Sequence, residues 1–456
     1  MDTPLVLGRL KRNSSGRCAL LGHAGDVRAI PSAWFDTLSL MDGFHPMPEI
    51  AARTGADEVA VREIFESLRG DKHVSTLQEW NVIYWCAACR TYLTRVTACP
   101  GCGSALKQVP WLPPCDPWIL FDREYEFVAE ALRLHAGIEI DANRLLLGNN
   151  GVYNNRFFWQ IAYDGKIVLR VDFEGLDRSS WKVIVHEAAR EVDWRAPSPG
   201  RNAEVLRMAA ANQASLEKIE ADSMAFLDEV WGYYDTTPLL YFSGGKESMV
   251  MLRLLEKAGR KTNLAFVGTG LDFPEDARFL LEELKPDIDR NPIFDLRTNV
   301  AAEDMFLGAF ELEGNRLEAR SAWCRERIKV PLKRALTQEF YGDRHFVALE
   351  GSRWYENDFR RSHPGINFAR GYDKQIWVHP IARWTGLDVW LYIYAEKLKV
   401  NPMYGMGYQR TTCWMCPIVN PFHLDLSKTQ YPELWKKMAN KELVGLDNVD
   451  PRSTPF

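Results

Sequence analysis

The feature that most constrains the fold is an apolar strand, a glycine loop and an amphipathic helix in direct succession over residues 238–259. The segment reads PLLYFSGGKESMVMLRLLEKAG, and a second strand pattern, NLAFVGTG, follows it. Strands joined by a helix pair in parallel, and the helix then begins at the edge of the sheet, where its first amides can donate to an anion. The sequence therefore predicts an α/β domain with a phosphate-binding loop; an ordinary helix cap is the alternative. The loop consists of Ser243, Gly244, Gly245, Lys246, Glu247 and Ser248.

Length and charge limit the class of protein. The chain has 456 residues, about three times an average domain of roughly 150 residues, so we expect two to four domains. With 56 Lys and Arg against 61 Asp and Glu, the net charge is −5, which excludes a chain-wide basic surface for nucleic acid. No apolar run reaches the roughly 18 residues of a membrane span, and no secretory signal is recognisable. We expect a cytoplasmic protein without a membrane partner; the sequence gives no indication of oligomeric state.

Four of the nine cysteines form two close pairs between residues 86 and 102. The pairs are Cys86-x2-Cys89 and Cys99-x2-Cys102, separated by nine residues. In a reducing compartment such thiols serve as metal ligands rather than as disulfides. Two such turns supply four sulfurs at the corners of a tetrahedron, which is the closed structural geometry of zinc. The pattern predicts a zinc ribbon over 80–112, with iron in the same cage or a thiol redox pair as alternatives.

The remaining divisions follow from changes in pattern along the chain. Residues 1–79 hold two short helical patterns and a strand, which predict a winged-helix-like module with a purely structural or protein-docking role rather than a DNA-binding one. Residues 113–200 mix helix and strand patterns and predict a small α+β domain without a chemical motif. A long helix over 201–234 then leads into a catalytic domain that occupies 201–430, and 431–456 form a C-terminal tail.

The loop SGGKES is too short for a Walker A loop, which has four residues between its glycines. It resembles the SGGxDS loop of the PP-loop ATP pyrophosphatases, with Glu247 in place of the usual aspartate. Four further segments resemble, in order and spacing, the phosphoadenosine phosphosulfate (PAPS) reductase branch of these enzymes. They are GTGLDFPEDARFL at 268–280, GSRWYENDFR at 351–360, HPIARWTGLDVWLYI at 379–393 and NPMYGMGYQRTTCWMCP at 401–417. The resemblance covers about residues 235–425.

This resemblance implies a role for each matching residue. ATP with Mg²⁺ is expected at the loop, because the leaving pyrophosphate needs charge neutralisation. Thr269 and Gly270 are expected near the nucleotide, with Gly268 in the place of a common aspartate. The motif Gly-x-Arg-x2-Glu-x3-Arg is expected at a substrate anion, with Asn357 in the place of a common serine. The residues of this motif are Gly351, Arg353, Glu356 and Arg360.

Three more thiols, Cys324, Cys413 and Cys416, fall where iron–sulfur members of the branch carry cluster ligands. A [4Fe–4S] cluster usually takes four thiolates, whereas three leave one iron open, which resembles thiolating PP-loop enzymes. A redox or persulfide-carrying thiol set and unrelated structural cysteines are the alternatives. Trp323 precedes Cys324 where adenylylsulfate reductases have a Cys-Cys pair. No cysteine follows Cys416, whereas the reductases of the family use a nucleophilic cysteine near the C-terminus.

The residues and the resemblance together predict an ATP-dependent sulfurtransferase. A substrate oxygen takes AMP from ATP with release of pyrophosphate, and sulfur from a donor such as a cysteine desulfurase then replaces AMP on a tRNA base or a DNA phosphate. The predicted catalytic residues are Lys246, Arg353, Cys324, Cys413 and Cys416. The run 320–334, with six basic residues against one acidic, predicts a local cationic funnel for a polyanion. A PAPS or adenylylsulfate reductase that uses an external thiol, and a non-catalytic nucleotide-binding recruitment module, are the alternatives.

Overall fold

The computed structural model describes residues 3–22, 26–141, 144–153, 156–318, 323–368, 374–411 and 413–444. Its first elements form a small mixed unit with its own hydrophobic core. The antiparallel sheet β2–β3–β4 and the pair β1–β5 surround helices whose apolar stripe, including Val61, Ile64, Phe65 and Leu68, is buried. The elements are β1 (Pro4–Val6), β2 (Gly8–Arg12), β3 (Cys18–Gly22), β4 (Val27–Ile30), α1 (Phe35–Ser39), α2 (Met47–Thr54), α3 (Glu58–Arg69), β5 (Val74–Thr76) and α4 (Leu77–Trp80).

Two antiparallel sheets follow. The first, in the order β7–β6–β8, carries the four closely spaced cysteines. The second is a meander in the order β13–β12–β11–β10–β9, which contacts α5 through β13. The elements are β6 (Ile83–Cys86), β7 (Thr91–Thr94), β8 (Lys107–Gln108), β9 (Trp118–Ile119), α5 (Asp122–Ala136), β10 (Leu147–Tyr153), β11 (Arg156–Tyr163), β12 (Lys166–Phe173) and β13 (Trp181–Val185).

The prediction of a single long helix over 201–234 is wrong. The structure has two helices there, α6 (Arg201–Ala211) and α7 (Gln213–Tyr233). The break lies at Asn212, whose buried side chain accepts a hydrogen bond from Thr94 N–H at 2.8 Å and donates to Tyr92 O at 2.9 Å. These bonds give a hydrogen-bond partner to the main-chain N–H of Thr94 and to the main-chain oxygen of Tyr92, both in β7. A tertiary contact that the local sequence does not encode therefore interrupts the helix.

The rest of the chain forms an α/β domain around a six-stranded sheet in the order β16–β15–β14–β18–β20–β19. All neighbours pair in parallel except β19, which is antiparallel to β20. This confirms the predicted α/β fold with its parallel sheet. The elements are β14 (Leu239–Tyr241), α8 (Lys246–Ala258), β15 (Thr262–Gly268), α9 (Pro274–Arg278), α10 (Lys285–Arg290), β16 (Phe294–Val300), α11 (Glu303–Leu312), β17 (Arg316–Glu318), α12 (Val330–Tyr341), β18 (Phe346–Leu349), α13 (Asp358–Arg361), β19 (Ile366–Phe368), β20 (Gln375–Val378), α14 (Gly386–Ala395), α15 (Pro402–Gly405), α16 (Pro421–Gln430), α17 (Pro432–Lys436) and β21 (Glu442–Val444), with π-helices at Phe279–Leu284 and Arg325–Lys329.

The strand order decides where a ligand can bind. From the central strand β14 the chain proceeds to β15 and β16 on one side, and later to β18 and β20 on the other. Such a reversal opens a crevice at the carboxyl ends of the strands on either side of it. The predicted phosphate loop follows β14 directly, so it lies at this crevice.

The meander and the α/β domain share one continuous hydrophobic core. Phe121, ahead of α5, packs on Trp390 of α14 with ring centroids 4.8 Å apart. Arg95 of the four-cysteine segment donates to the buried Asp388 of α14 at 2.6 Å. Residues 80–200 are therefore built into the α/β domain through its core. Within the described part of the chain, no helix is both long enough and apolar enough to cross a lipid bilayer.

Candidate functional site

A cavity of about 390 Å³ opens at the crevice beside β14 and β18. This volume lies within the range of roughly 300–1,000 Å³ that is typical of small-molecule pockets. One wall is the phosphate loop, and the opposite wall is formed by residues between 350 and 360. The segment 404–411 forms a third wall, and residues between 116 and 150, from the meander segment, form a fourth.

The phosphate loop is held in shape by its own hydroxyl groups. Gly244 has a φ of +71°, a conformation that favours glycine. Gly245 N–H donates to Ser243 Oγ at 3.3 Å, and Ser248 Oγ donates back to Gly245 O at 2.8 Å. Helix α8 then begins at Lys246, so its first turn faces the cavity. This is the arrangement in which main-chain amides bind phosphate oxygens.

The segment 404–411 lies directly against this first turn. Lys246 N–H donates to the Tyr404 hydroxyl at 2.7 Å, and Lys246 Nζ donates to the main-chain oxygen of Gln409 at 3.0 Å. Lys246 Nζ also lies 3.0 Å from Glu247 Oε1. Burial raises the pKa of the Glu247 carboxyl, but the charges of Lys246 and Arg353 lower it more, so its pKa lies well below its usual range. The Glu247 carboxyl is thus ionised and in contact with the side chain of Lys246.

Arg353 is buried between carboxylates. Its guanidinium donates to both oxygens of Asp116, at 2.6 and 3.0 Å, and to Glu247 Oε1 at 3.0 Å. Glu356 Oε1 accepts from the Arg353 main-chain N–H at 2.8 Å. Burial acts to lower the pKa of Arg353, but these carboxylates raise it above its ordinary value. The sequence motif predicts a substrate anion beside Arg353, whereas in the structure Asp116 and Glu247 already neutralise its charge.

Three cationic side chains of the cavity lining, Arg360, Lys333 and Lys329, act electrostatically on one another. Arg360 donates to Ser352 Oγ at 2.6 Å and to Glu350 Oε2 at 3.4 Å. Burial lowers the pKa of Lys333 to about 8, and its amine lies 4.0 Å from the centre of the Tyr241 ring. Carboxylates balance part of this charge, since Glu350 and Glu356 act on Arg360 and Asp272 acts on Lys329. Neighbouring cationic side chains in a partly enclosed site favour an anionic ligand.

The basic run 320–334 contributes only in part to the predicted funnel. Lys329 and Lys333 line the cavity. The side chains of Arg325 and Arg327 are 69% and 53% exposed and contact glutamates on the surface. Arg320 lies outside the described residues.

Cys324, Cys413 and Cys416 gather in a second apolar cluster, separate from the main core. Burial raises the pKa of Cys413 to about 12 and that of Cys324 to about 11, while the Lys329 ammonium acts in the opposite direction on both. All three thiols act electrostatically on Lys329, which also lines the cavity. The three-cysteine cluster therefore adjoins the cavity at Lys329 and at Tyr408, which packs in the same apolar cluster and lines the cavity.

Thr269 and Gly270 are not among the described residues that line the cavity, and Thr269 contacts the three-cysteine cluster instead. Thr269 Oγ1 lies 2.9 Å from Cys413 Sγ, and residues 272 and 413 form an isolated antiparallel bridge. The predicted proximity of Thr269 and Gly270 to a nucleotide stays a prediction. Gly351, Glu356 and Arg360 do line the cavity.

The four closely spaced cysteines converge as the spacing predicts. The sulfur of Cys86 lies 3.5 Å from that of Cys102, and the sulfur of Cys89 lies 3.7 Å from that of Cys99. Tetrahedral metal–sulfur bonds of about 2.3 Å give sulfur–sulfur edges of about 3.8 Å. All four sulfurs lie within 4.8 Å of one another, so this group can hold a metal ion. Across the described residues, Cys324, Cys413 and Cys416 do not form a group of this kind.

Comparison with known proteins assigns the family. Residues 237–419 match the family model of the phosphoadenosine phosphosulfate reductase domain. A sulfate adenylyltransferase subunit 2 from Shewanella is 30% identical over 220 residues, which cover 43% of this chain and 69% of the relative. The chain belongs to the PAPS reductase family of PP-loop proteins. The predicted resemblance is thereby confirmed, and the protein is an enzyme with a nucleotide-related activity.

Two further relatives of this PAPS reductase family protein differ in how much of the chain they match. An adenosine 5′-phosphosulfate reductase from Bacillus cereus is 24% identical over 192 residues, which cover 41% of this chain and 77% of the relative. An uncharacterized protein from Methanocaldococcus jannaschii is 24% identical over 449 residues, covering 78% of this chain and 91% of that relative. The second similarity therefore extends beyond the family domain.

The sequence of this family member does not identify some of the residues that line the cavity. Asp116, Glu124 and Asn150 line the cavity although they precede the family domain by more than eighty positions. Asp116 stands in a proline-rich joint, and Glu124 has the appearance of a helix-capping residue. Neither context carries a chemical signal. Tyr404 and Gln409 fall within the motif segment 401–417, but the motif predicts no role for either residue.

Proposed function

We propose that this protein is an ATP-dependent sulfurtransferase that adenylates an oxygen of its substrate, releases pyrophosphate and inserts sulfur. The observation that carries the proposal is the contact between two sites. A cavity beside a PP-loop adjoins a cluster of one buried and two half-buried thiols, and Lys329 lines the cavity while all three thiols act on it. A site that activates the substrate, next to a site that holds sulfur, suits a reaction in two consecutive steps.

In the first step MgATP binds with its β and γ phosphates at the loop. The amides at the start of α8 and the Lys246 ammonium stabilise the charge of the leaving pyrophosphate. The acceptor oxygen attacks the α phosphorus, a new P–O bond forms, and the bond to pyrophosphate breaks. Lys329, Lys333 and Arg360 supply positive charge at the other end of the cavity, where the acceptor enters.

In the second step sulfur at the oxidation level of sulfide attacks the activated atom, forms the new bond to sulfur, and AMP leaves with the original oxygen. No electrons are exchanged in this displacement. Cys324, Cys413 and Cys416 are the donor set of an iron–sulfur cluster with one open iron, which would supply a binding site for sulfide. The apolar surroundings exclude water that would otherwise hydrolyse the adenylate.

We further propose a nucleic acid, either a tRNA base or a DNA phosphate, as the acceptor, and a cysteine desulfurase as the source of sulfur. A dithiol reductant releases the sulfur of the desulfurase persulfide as sulfide and is itself oxidised to a disulfide. The exposed Arg325, next to Cys324, supports an acceptor with a phosphate backbone. Zinc in the four-cysteine group gives residues 80–112 a structural role, because their own buried core is small.

A second candidate is an activity like those that the relatives' names describe. The 30% identity to a sulfate adenylyltransferase subunit favours adenylation of sulfate, and the similarity to an adenosine 5′-phosphosulfate reductase favours sulfonucleotide reduction by an external thiol. Neither reaction requires the three-cysteine cluster to deliver sulfur to an acceptor.

The deciding experiment incubates anaerobically purified, reconstituted protein with MgATP, radiolabelled sulfide and one acceptor at a time: total tRNA, duplex DNA or sulfate. We expect AMP, pyrophosphate and labelled nucleic acid together. Lys246→Ala should abolish all three, whereas Lys285→Ala, at a surface lysine paired with Asp289, should not. Cys413→Ser should retain pyrophosphate release but lose both AMP release and the label, with Cys18→Ser as its control. Formation of adenosine 5′-phosphosulfate and pyrophosphate with sulfate alone, or of sulfite from PAPS with an external thiol, would establish the second candidate instead.

A further inference from the structure

Two carboxylates outside the family domain reach the phosphate loop through one intermediate residue each. Asp116 precedes β9, and Glu124 lies in the first turn of α5. Both line the cavity, although the family domain begins only at residue 237. Each contacts a residue that in turn contacts Lys246 or Glu247.

The first chain of contacts runs from Asp116 through Arg353 to Glu247. The Asp116 carboxylate accepts a hydrogen bond from Gly386 N–H, and the Asp116 main-chain N–H donates to Asn149 Oδ1 at 2.9 Å. Both oxygens of the Asp116 carboxylate also accept from the Arg353 guanidinium, and Arg353 Nη2 donates to Glu247 Oε1 at 3.0 Å. The Arg353 side chain is only 3% exposed, so water does not screen these contacts. Asp116 thereby sets the position of the guanidinium that holds Glu247.

The second chain of contacts runs from Glu124 through Gln409 to Lys246. Glu124 is 1% exposed and accepts from Trp118 Nε1 at 3.0 Å and from Gln409 Nε2 at 2.9 Å. Asn150 donates to the other end of the same amide, Gln409 Oε1, at 3.0 Å. With its side chain held at both ends, Gln409 presents its main-chain oxygen to Lys246 Nζ at 3.0 Å.

The two chains of contacts end on neighbouring residues whose charged groups touch each other. We propose that Asp116 and Glu124 are positioning residues of the nucleotide site, which hold Glu247 and Lys246 in the geometry that binds MgATP. The inference rests on the proposed function only in taking MgATP as the ligand. The meander segment is, on this proposal, a working part of the active site rather than an independent accessory domain.

The test measures the dissociation constant of MgATP by calorimetry on the full-length chain. Above about pH 7, where the Glu124 carboxyl is ionised, we expect Asp116→Asn and Glu124→Gln each to raise it about tenfold, the effect of losing one buried charged contact. Glu126→Gln is the matched control, because it lies on the same helix with a side chain 61% exposed and should stay within about twofold of wild type. Asn150→Ala should raise the constant about threefold, and it replaces Glu124→Gln if that variant does not fold.

A double-mutant cycle separates positioning from general damage. If Asp116 acts through Arg353 on Glu247, Asp116→Asn should change MgATP binding less than about twofold when Glu247→Gln is already present. An undiminished tenfold effect in that background, wild-type binding by both single variants, or wild-type protein that does not bind MgATP would overturn the proposal. Wild-type protein that binds MgATP but forms no AMP with any acceptor would refute the proposed function and leave the positioning role standing.

Discussion

Replacing Gly351 with alanine tests how closely the two walls of the cavity are packed. Gly351 follows β18, and a methyl group added there lies 2.8 Å from Glu247 Cβ and 3.3 Å from the main-chain carbonyl carbon of Glu247. Carbon atoms pack at about 3.5–4.0 Å, so about 0.7 Å of overlap has to be relieved. Because the neighbour is the first turn of α8 and the Glu247 side chain is held by Arg353, neither side moves freely.

We therefore expect Gly351→Ala to lower the free energy of unfolding by about 1–3 kcal/mol, the usual cost of overpacking a filled site. The displaced turn carries Lys246, so the affinity for MgATP should fall as well. Urea denaturation measures the first effect and calorimetric titration the second. Gly308→Ala is the control, since the added methyl group has no neighbour within 4 Å inside α11 and should stabilise the protein by up to about 1 kcal/mol. Wild-type stability and affinity in Gly351→Ala would refute the close packing inferred here.

Three further predictions concern other parts of the chain. Cys99→Ser should lose the metal bound by the four-cysteine group, as measured by elemental analysis, whereas Cys18→Ser should retain it; undiminished zinc in the first variant contradicts the site. Asn212→Ala leaves two main-chain groups of β7 without their buried partner and should lower the free energy of unfolding by about 2–4 kcal/mol; thermal denaturation checks this against the exposed Gln213→Ala, and equal stability of the two variants counts against it. Burial raises the pKa of Glu124 from 4.5 to about 7, so the folded protein holds a proton that the unfolded chain releases. Wild-type stability should therefore fall as pH rises between these two values, by about 1.4 kcal/mol per pKa unit, and the stability difference between wild type and Glu124→Gln should shrink between pH 5 and 8; a constant difference would contradict the shift.

Two predictions from local sequence patterns agree with the structure. The loop at 243–248 lies between a strand and a helix, and the two Cys-x-x-Cys turns bring four sulfurs together. Both features depend on residues that are near each other along the chain, so spacing and periodicity suffice to predict them. The helix predicted over 201–234 was wrong where a distant partner intervened, since the bonds that interrupt it at Asn212 come from β7.

The sequence by itself determined the α/β class, the phosphate loop, the two sets of cysteines and the family, because each is a pattern of neighbouring residues. Only the tertiary structure decided which residues surround the cavity at the phosphate loop. Arg353 meets a carboxylate 237 positions away in the chain, and Gln409 meets one 285 positions away. The reversal of strand order at β14 opens the crevice, and the shared core brings the meander segment against it. Contacts of this kind depend on how whole elements pack together, and no local pattern of residues records that packing.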